Sequence, residues 1–367
     1  MSSHLGLIVK GTRVCNLRCS YCHDWRTGPG QTMPFPVLAR MVAAALQDPE
    51  HDAVSFFWHG GEPLVLGREW YEKALYVQAR LRRPGQRIVN ALQTNGTLVD
   101  EAWARFFRAN DIRVSLSLDG PPEIHDQHRV YASGKPSFRE VTRGMQVLRE
   151  HGVPFSVLMV IDEPALALGP DRIFDVFLLL GVERLGLLAA TPTNQPNAAP
   201  GTPTTHYVDA ARMTTFLIGV YDRWRAHGDP RIQIREIEAI RGRVRQQGAG
   251  LCTFAGGCLG RYYAVEPNGD LAHCDVFVGD ERYTLGNVMH DSFADLRGRE
   301  ALRALRAENE AALQAMWACP DFPVCNGACP HERYLAVRHD RAHRSDCCGW
   351  RTLIDHVRAC EGVPRAS

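Results

Sequence analysis

The chain has 367 residues, 45% of them hydrophobic and 23% charged, with a formal net charge of +1. That length holds two or three domains, or one large α/β domain with an appendage. Near-neutral charge leaves no electrostatic footprint for nucleic acid or an anionic membrane, no apolar run approaches the roughly 20 residues that span a bilayer, and the strand-like opening leaves no room for a signal peptide, so a cytoplasmic protein with neither partner is expected.

In chain order, apolar runs at 5–10, 53–58, 88–92, 112–118, 154–161 and 184–190 alternate with amphipathic stretches near 36–47, 68–83, 100–109, 137–151 and 171–180. Short, continuously apolar strands between helices predict parallel β/α units. Right-handed crossovers would curl them into a partial (β/α)6 barrel of TIM type, with its chemistry on the loops after the strands. Residues 191–206, TPTNQPNAAPGTPTTH, read as a loop or linker. Helical stretches at 207–227 and 234–247 follow, and Arg241, Arg243 and Arg245 read as a solvated face. In RYYAVEPNGDLAHC, Asn-Gly between alternating residues signals a β-hairpin. The expected division is a barrel over 1–206, a helical bridge over 207–250, a cysteine-rich domain of hairpin and helices over 251–360, and a fraying tail over 361–367.

Twelve cysteines fall into two groups, Cys15, Cys19 and Cys22 against nine between Cys252 and Cys360. Clustered cysteines in a reducing compartment point to metal or redox chemistry rather than disulfides. Cys15-Asn-Leu-Arg-Cys19-Ser-Tyr-Cys22 follows the first strand. Three thiolates on a [4Fe–4S] cubane leave one iron open to an outside ligand. A zinc site completed by His23 or a distant residue is the alternative. The second group runs Cys252-x5-Cys258-x15-Cys274 and then Cys319-x5-Cys325-x3-Cys329-x17-Cys347, which a zinc ribbon could also use.

The CxxxCxxC loop resembles the signature of the radical S-adenosylmethionine (SAM) superfamily, whose open iron chelates the amino and carboxylate groups of SAM. Gly60-Gly61-Glu62-Pro63 after the second strand resembles that family's GGEP motif. Gln93-Thr94-Asn95-Gly96 and Ser115-Leu116-Ser117-Leu118-Asp119-Gly120 look like its polar shelf. The resemblance places Gly60, Gly61, Glu62, Thr94, Asn95, Ser117, Arg143 and Leu158 at SAM; for Thr94, Asn95 and Asp119 turn and capping chemistry is the alternative, and for Leu158 core packing. The C-terminal pattern resembles the SPASM domain. It implies Cys252, Cys258, Cys274 and Cys329 as ligands of an inner auxiliary cluster and Cys319, Cys325 and Cys347 of an outer one. Where the family has the outer cluster's remaining cysteine this chain has Met316; Cys348 could replace it, although adjacent residues rarely reach one cubane. Cys360 matches nothing.

The stretches QTNGTLVDEAW, LSLDGPPEIHDQHR and HCDVF resemble the anaerobic sulfatase-maturing enzymes in particular. That likeness implies Asp275 as the catalytic base that deprotonates a substrate radical, auxiliary clusters that take the second electron, and a low-potential donor such as flavodoxin or ferredoxin. The expected activity is a two-electron oxidation of a peptide or protein side chain, to a carbonyl or a cross-link. Dehydrogenation of a small polyol or aminosugar is the alternative within the chemistry, and a non-catalytic zinc scaffold the alternative outside it. The chain departs from the sulfatase-maturing pattern at Asp24, where that family has tyrosine, and at His59, where it has glutamine. Both would face the substrate pocket, which makes sulfatase itself a doubtful substrate.

Overall fold

The computed structural model of the chain describes residues 4–22, 31–192, 207–248, 250–277 and 281–365. The six apolar runs form parallel strands β1 (His4–Lys10), β2 (Ala53–His59), β3 (Arg87–Thr94), β4 (Arg113–Ser117), β5 (Phe155–Ile161) and β6 (Arg184–Ala189). The connections carry helices Phe35–Gln47, Arg68–Leu81, Glu101–Ala109, Phe138–Glu150 and Pro170–Leu179. Asp100 caps the third of these by accepting the Trp103 amide at 2.7 Å, satisfying one of the donors a helix start leaves unpaired. Alternate strand residues such as Phe56, Trp58, Leu92, Val114, Leu116, Val157 and Met159 are buried. Their neighbours on the opposite face, Phe57, His59, Gln93, Ser117 and Leu158, are half-buried. One side of the sheet therefore carries the core, and the other a partly open interior.

The sheet does not stop at six strands. β7 (Gln233–Ile234) adds in parallel to β6 at the start of a stretch that reads as helix, which begins only at Arg235. The predicted hairpin forms as β8 (Tyr262–Val265) and β9 (Asp270–His273), and β10 (Thr284–Asn287) pairs antiparallel with β9. β8 lies parallel to β1, Gly6 opposite Tyr262 and Val9 opposite Val265. The result is one open sheet in the order β10-β9-β8-β1-β2-β3-β4-β5-β6-β7. Gly6 permits the join: a Cβ there would sit 2.5 Å from the Tyr262 ring.

Helix Ala210–His227 packs against the last helix, Arg351–Glu361. The reading of three arginines as a solvated face is corrected here. Arg241 Nε donates to Glu361 at 2.8 Å, Arg245 pairs with the same carboxylate, and Arg243 Nε donates to the Val324 carbonyl at 2.8 Å. Their long arms fasten this helical stretch to the C-terminal region. Apart from Thr191 and Pro192, the stretch 191–206 lies outside the described residues. No helix among the described residues is long and apolar enough to cross a membrane.

Candidate active site and metal centres

The loop that carries the first three cysteines leaves β1 and is clamped from beneath by the GGEP turn. The Glu62 amide donates to the Val14 carbonyl at 2.8 Å. A Cβ on Gly60 would meet Lys10 Cδ at 2.8 Å and the Thr12 carbonyl at 2.9 Å, and one on Gly61 would meet the Val14 carbonyl at 2.2 Å. Both glycines also have positive φ, +82° and +42°, so no side chain fits either position. The close approach that the glycines allow is to the chain's own cluster loop. Glu62 is fully enclosed, accepting from Thr94 Oγ1 at 2.7 Å, the Leu64 amide at 3.0 Å and the Asn95 amide at 2.7 Å. Burial pushes its carboxyl up, against those three hydrogen bonds. In this geometry Glu62, Thr94 and Asn95 tie the ends of β2 and β3 together behind the loop.

The thiols of Cys15, Cys19 and Cys22 lie close enough to feel one another's charge, and burial pushes Cys15 up to about 12 and Cys19 up as well. Donors are aimed at the sulfurs: the Leu17 amide at 3.4 Å and Asn95 Nδ2 at 3.9 Å on Cys15, and Arg129 Nη1 at 3.9 Å on Cys19. Thiols so buried give up their protons to a metal rather than to water.

Asp119 anchors this loop to the barrel. Its carboxylate accepts from Arg129 Nε at 2.8 Å, from the Val160 amide at 3.0 Å and from the Tyr21 hydroxyl. Burial pushes Asp119 up, but Arg129 and its other partners outweigh that and hold it below the usual carboxylate range. Arg129 also lies 5.4 Å over the Tyr21 ring. His125 completes the fitting: Nδ1 accepts the Asp119 amide at 3.2 Å while Nε2 is 3.0 Å from Ser137 Oγ. The Asp-Gly motif that reads as a shelf is thus a buried fastening beneath Cys19.

On the half-open face, strand register sets Lys10 beside His59, Gln93 beside Ser115, and Ser117 beside Leu158. Ser117 Oγ accepts from Gln93 Nε2 at 2.8 Å. Arg143 is exposed on its helix and donates to the Thr97 carbonyl at 3.0 Å. His23 and Asp24 lie outside the described residues.

Asp275, in the turn after β9, forms an ion pair with Lys10, whose side chain has no solvent exposure. Lys10 Nζ also stands 3.1 Å from His59 Nδ1, and the Gly60 amide donates to that same nitrogen at 2.7 Å. Two donors at Nδ1 assign it as acceptor and put the proton of a neutral His59 on Nε2. Lys10 escaped the sequence reading, though a lysine closing the run LGLIVK is an unusual residue on a strand buried from both sides.

The C-terminal cysteines gather in two places. Cys274 feels the charges of Cys252 and Cys258, and Cys329 that of Cys274; burial pushes all four thiols up, Cys274 to about 12. Cys319 feels Cys347 and Cys325. Arg333 stands between the two groups, within range of Cys329 and Cys258 on one side and Cys348 on the other, and donates to the Ala328 carbonyl at 3.0 Å.

The Radical SAM superfamily profile matches residues 9–164, and the SPASM iron–sulfur cluster-binding profile residues 256–326. The serine-type anaerobic sulfatase-maturating enzyme of Klebsiella aerogenes is 30% identical over 86% of this chain and 77% of its own length. This chain belongs to the radical SAM/SPASM family of those enzymes. The serine-type enzyme of Bacteroides thetaiotaomicron is 29% identical over 94% of this chain and 87% of its own, and the cysteine-type enzyme of Clostridium perfringens 28% over 89% and 88%. Among solved structures, native anSMEcpe with bound AdoMet superposes with a TM-score of 0.81 at 25% identity, over 97% of this chain and 96% of that one. The same protein with AdoMet and the Cp18Cys peptide gives equal figures.

Membership in the radical SAM/SPASM family makes the chain an enzyme of [4Fe–4S] clusters and SAM, and the residues present fit those groups. Cys15, Cys19 and Cys22 are one buried and two half-buried thiols, with amide donors on Cys15 and a guanidinium donor on Cys19, which suits a cubane with one open iron. Cys252, Cys258, Cys274 and Cys329 supply a full set of four for a second. Arg129, the partner of Asp119, is what motif reading missed at the first site. The sequence signal was the conspicuous HDQHR stretch, ending in Arg129, downstream of Asp-Gly.

Proposed function

We propose that this radical SAM enzyme oxidises a side chain of a peptide or protein substrate by two electrons, giving a carbonyl or a cross-link. The observation that carries this reading is the ion pair of the buried Lys10 with the half-buried Asp275, which holds a carboxylate next to Cys274. When bound, SAM and the clusters supply hydrogen abstraction from a substrate carbon and a sink for the second electron. Asp275 takes the proton that the substrate radical loses. Lys10 aims that carboxylate, and His59, an imidazole where the sulfatase-maturing pattern has an amide, fixes the lysine through Nδ1. Peptide chemistry is supported by relatives named for sulfatase maturation and by the peptide bound in the solved relative. The exchanges at positions 24 and 59 direct this chain to a different peptide. A flavodoxin or ferredoxin in the cytoplasm is the electron donor this chemistry calls for.

Mass spectrometry of peptides encoded beside the gene, after anaerobic reaction with SAM and a reductant, tests the reading. A loss of two mass units is expected. Unchanged mass in H2O with uptake of one deuterium in D2O means epimerisation and removes Asp275 from the oxidative role. Asp275→Asn is expected to form 5′-deoxyadenosine and no product.

A further inference from the structure

The outer site has three thiols in the positions the SPASM pattern provides and a methionine in the fourth. Met316 is only 2% exposed, and its sulfur packs 3.7 Å from where a Cβ on Gly327 would stand. A thioether in that slot is a poor replacement for a thiolate on iron, because cubane irons are held by charged sulfur. The chain has another thiol to offer. Cys348 is half-buried and packs against the core. It is the residue next to Cys347 in the chain, its thiol lies within interaction range of those of Cys325 and Cys347, and Cys319 lies within electrostatic range of the same two. Four thiols therefore gather at the outer site.

Neighbouring residues point to opposite sides only in a strand. Cys347 and Cys348 lie in no strand or helix: a turn at Ser345–Asp346 precedes them and Gly349, with φ +84°, bends the chain directly after them. That bend lets both sulfurs face Cys325. Backbone donors complete a cluster-like environment, the Gly349 amide at 3.5 Å from Cys347 Sγ and the Gly327 amide at 3.4 Å from Cys325 Sγ. Amide hydrogen bonds to sulfur are among the features that tune such clusters. With Arg333 as the link, this site sits beside the inner one.

We propose that Cys348 is the fourth ligand of the outer auxiliary cluster, so that Cys319, Cys325, Cys347 and Cys348 hold a complete [4Fe–4S] centre from which Met316 is excluded. The assignment does not depend on which substrate the enzyme takes. It requires no residue outside the described set, and it accounts for eleven of the chain's twelve cysteines, leaving Cys360 without a cluster.

Iron and sulfide analysis with Mössbauer spectroscopy on the anaerobically reconstituted full-length enzyme decides the matter. Wild type is expected to hold about twelve irons per chain, in three four-iron clusters. Cys348→Ser is expected to fall to about eight, or to show a three-iron signal at the outer site, while 5′-deoxyadenosine formation at the first cluster continues. Met316→Cys with Cys348→Ser, which restores a thiol at the family's position, is expected to recover about twelve. Cys360→Ser is expected to change nothing. The proposal is overturned if Cys348→Ser keeps the full complement and spectrum, or if wild type itself holds only about eight. Should Cys348→Ser be insoluble, the double variant decides alone: a soluble protein with full iron supports the assignment, and one lacking the third cluster refutes it.

Discussion

A lysine with no solvent exposure costs several kcal/mol to bury and is retained where an anion answers its charge. Lys10 has Asp275 on one side and His59 Nδ1 on the other, so its substitution tests aim rather than SAM chemistry. Lys10→Met is expected to keep 5′-deoxyadenosine formation close to wild type while product per SAM consumed falls by about 100-fold, the cost of a misplaced reacting group. Lys10→Arg, which restores the charge, is expected to recover part of the coupling. Equal coupling in Lys10→Met would show the pair to be merely structural. A second ion pair, this one buried on both sides, lies beside Cys19. Asp119 is 1% exposed and held by Arg129, and Arg129→Met leaves that carboxylate uncompensated. A loss of about 3–5 kcal/mol in denaturant unfolding is expected, together with lowered iron retention at Cys15, Cys19 and Cys22. Retained stability would mean that Asp119 relaxes to other donors. Neither pair was readable beforehand: Lys10 and Asp275 lie far apart in the chain, and even for Asp119 and Arg129, ten residues apart, apolar periodicity says nothing about which charges meet.

At the scale of elements, the six strands and their helices were legible since each is a continuous apolar run bounded by turn residues. β7 was not, being two residues long and merged with the helix after it. The hairpin was legible from Asn-Gly, yet its partner was not. Its docking on β1 depends on Gly6, whose missing side chain makes room for the Tyr262 ring, a fit between segments some 250 positions apart. Gly6→Val therefore tests whether the hairpin delivers Asp275 to Lys10. Overpacking there is expected to cost about 1–3 kcal/mol, and product formation should drop more than 5′-deoxyadenosine formation does. Parallel losses in both would place the damage in the barrel instead of the hairpin. The same logic explains the GGEP turn: the motif was recognisable, whereas its packing against Lys10, Thr12 and Val14 appears only once β1 and β2 lie side by side.

Across the whole molecule, two kinds of interior hold the chain together. One is a broad apolar core that the barrel strands share with their helices and that extends into the C-terminal region through Phe254, Leu285, Phe293 and Leu353. The C-terminal region has helices of only four residues at Cys252–Ala255 and Phe322–Cys325, far below the length at which a helix is stable by itself. Eight cysteines converge there instead, several of them on those short turns and in the bends at Cys274, whose φ is +58°, and Gly349. Burial raises the inner-site thiols, so metal coordination, which takes up thiolates, is linked to folding of this region. Stripping iron with a chelator under reducing conditions is expected to leave the barrel resistant to limited proteolysis while the segment beyond residue 250 is cut first. The arginines that fasten it, Arg241, Arg243 and Arg245, bind its last helix and the Val324 carbonyl, so they hold its edge and not its centre. Reconstitution with iron and sulfide should restore resistance to both parts. Cleavage at the same rate beyond residue 250 with and without iron would show that packing, and not the clusters, orders the C-terminal region.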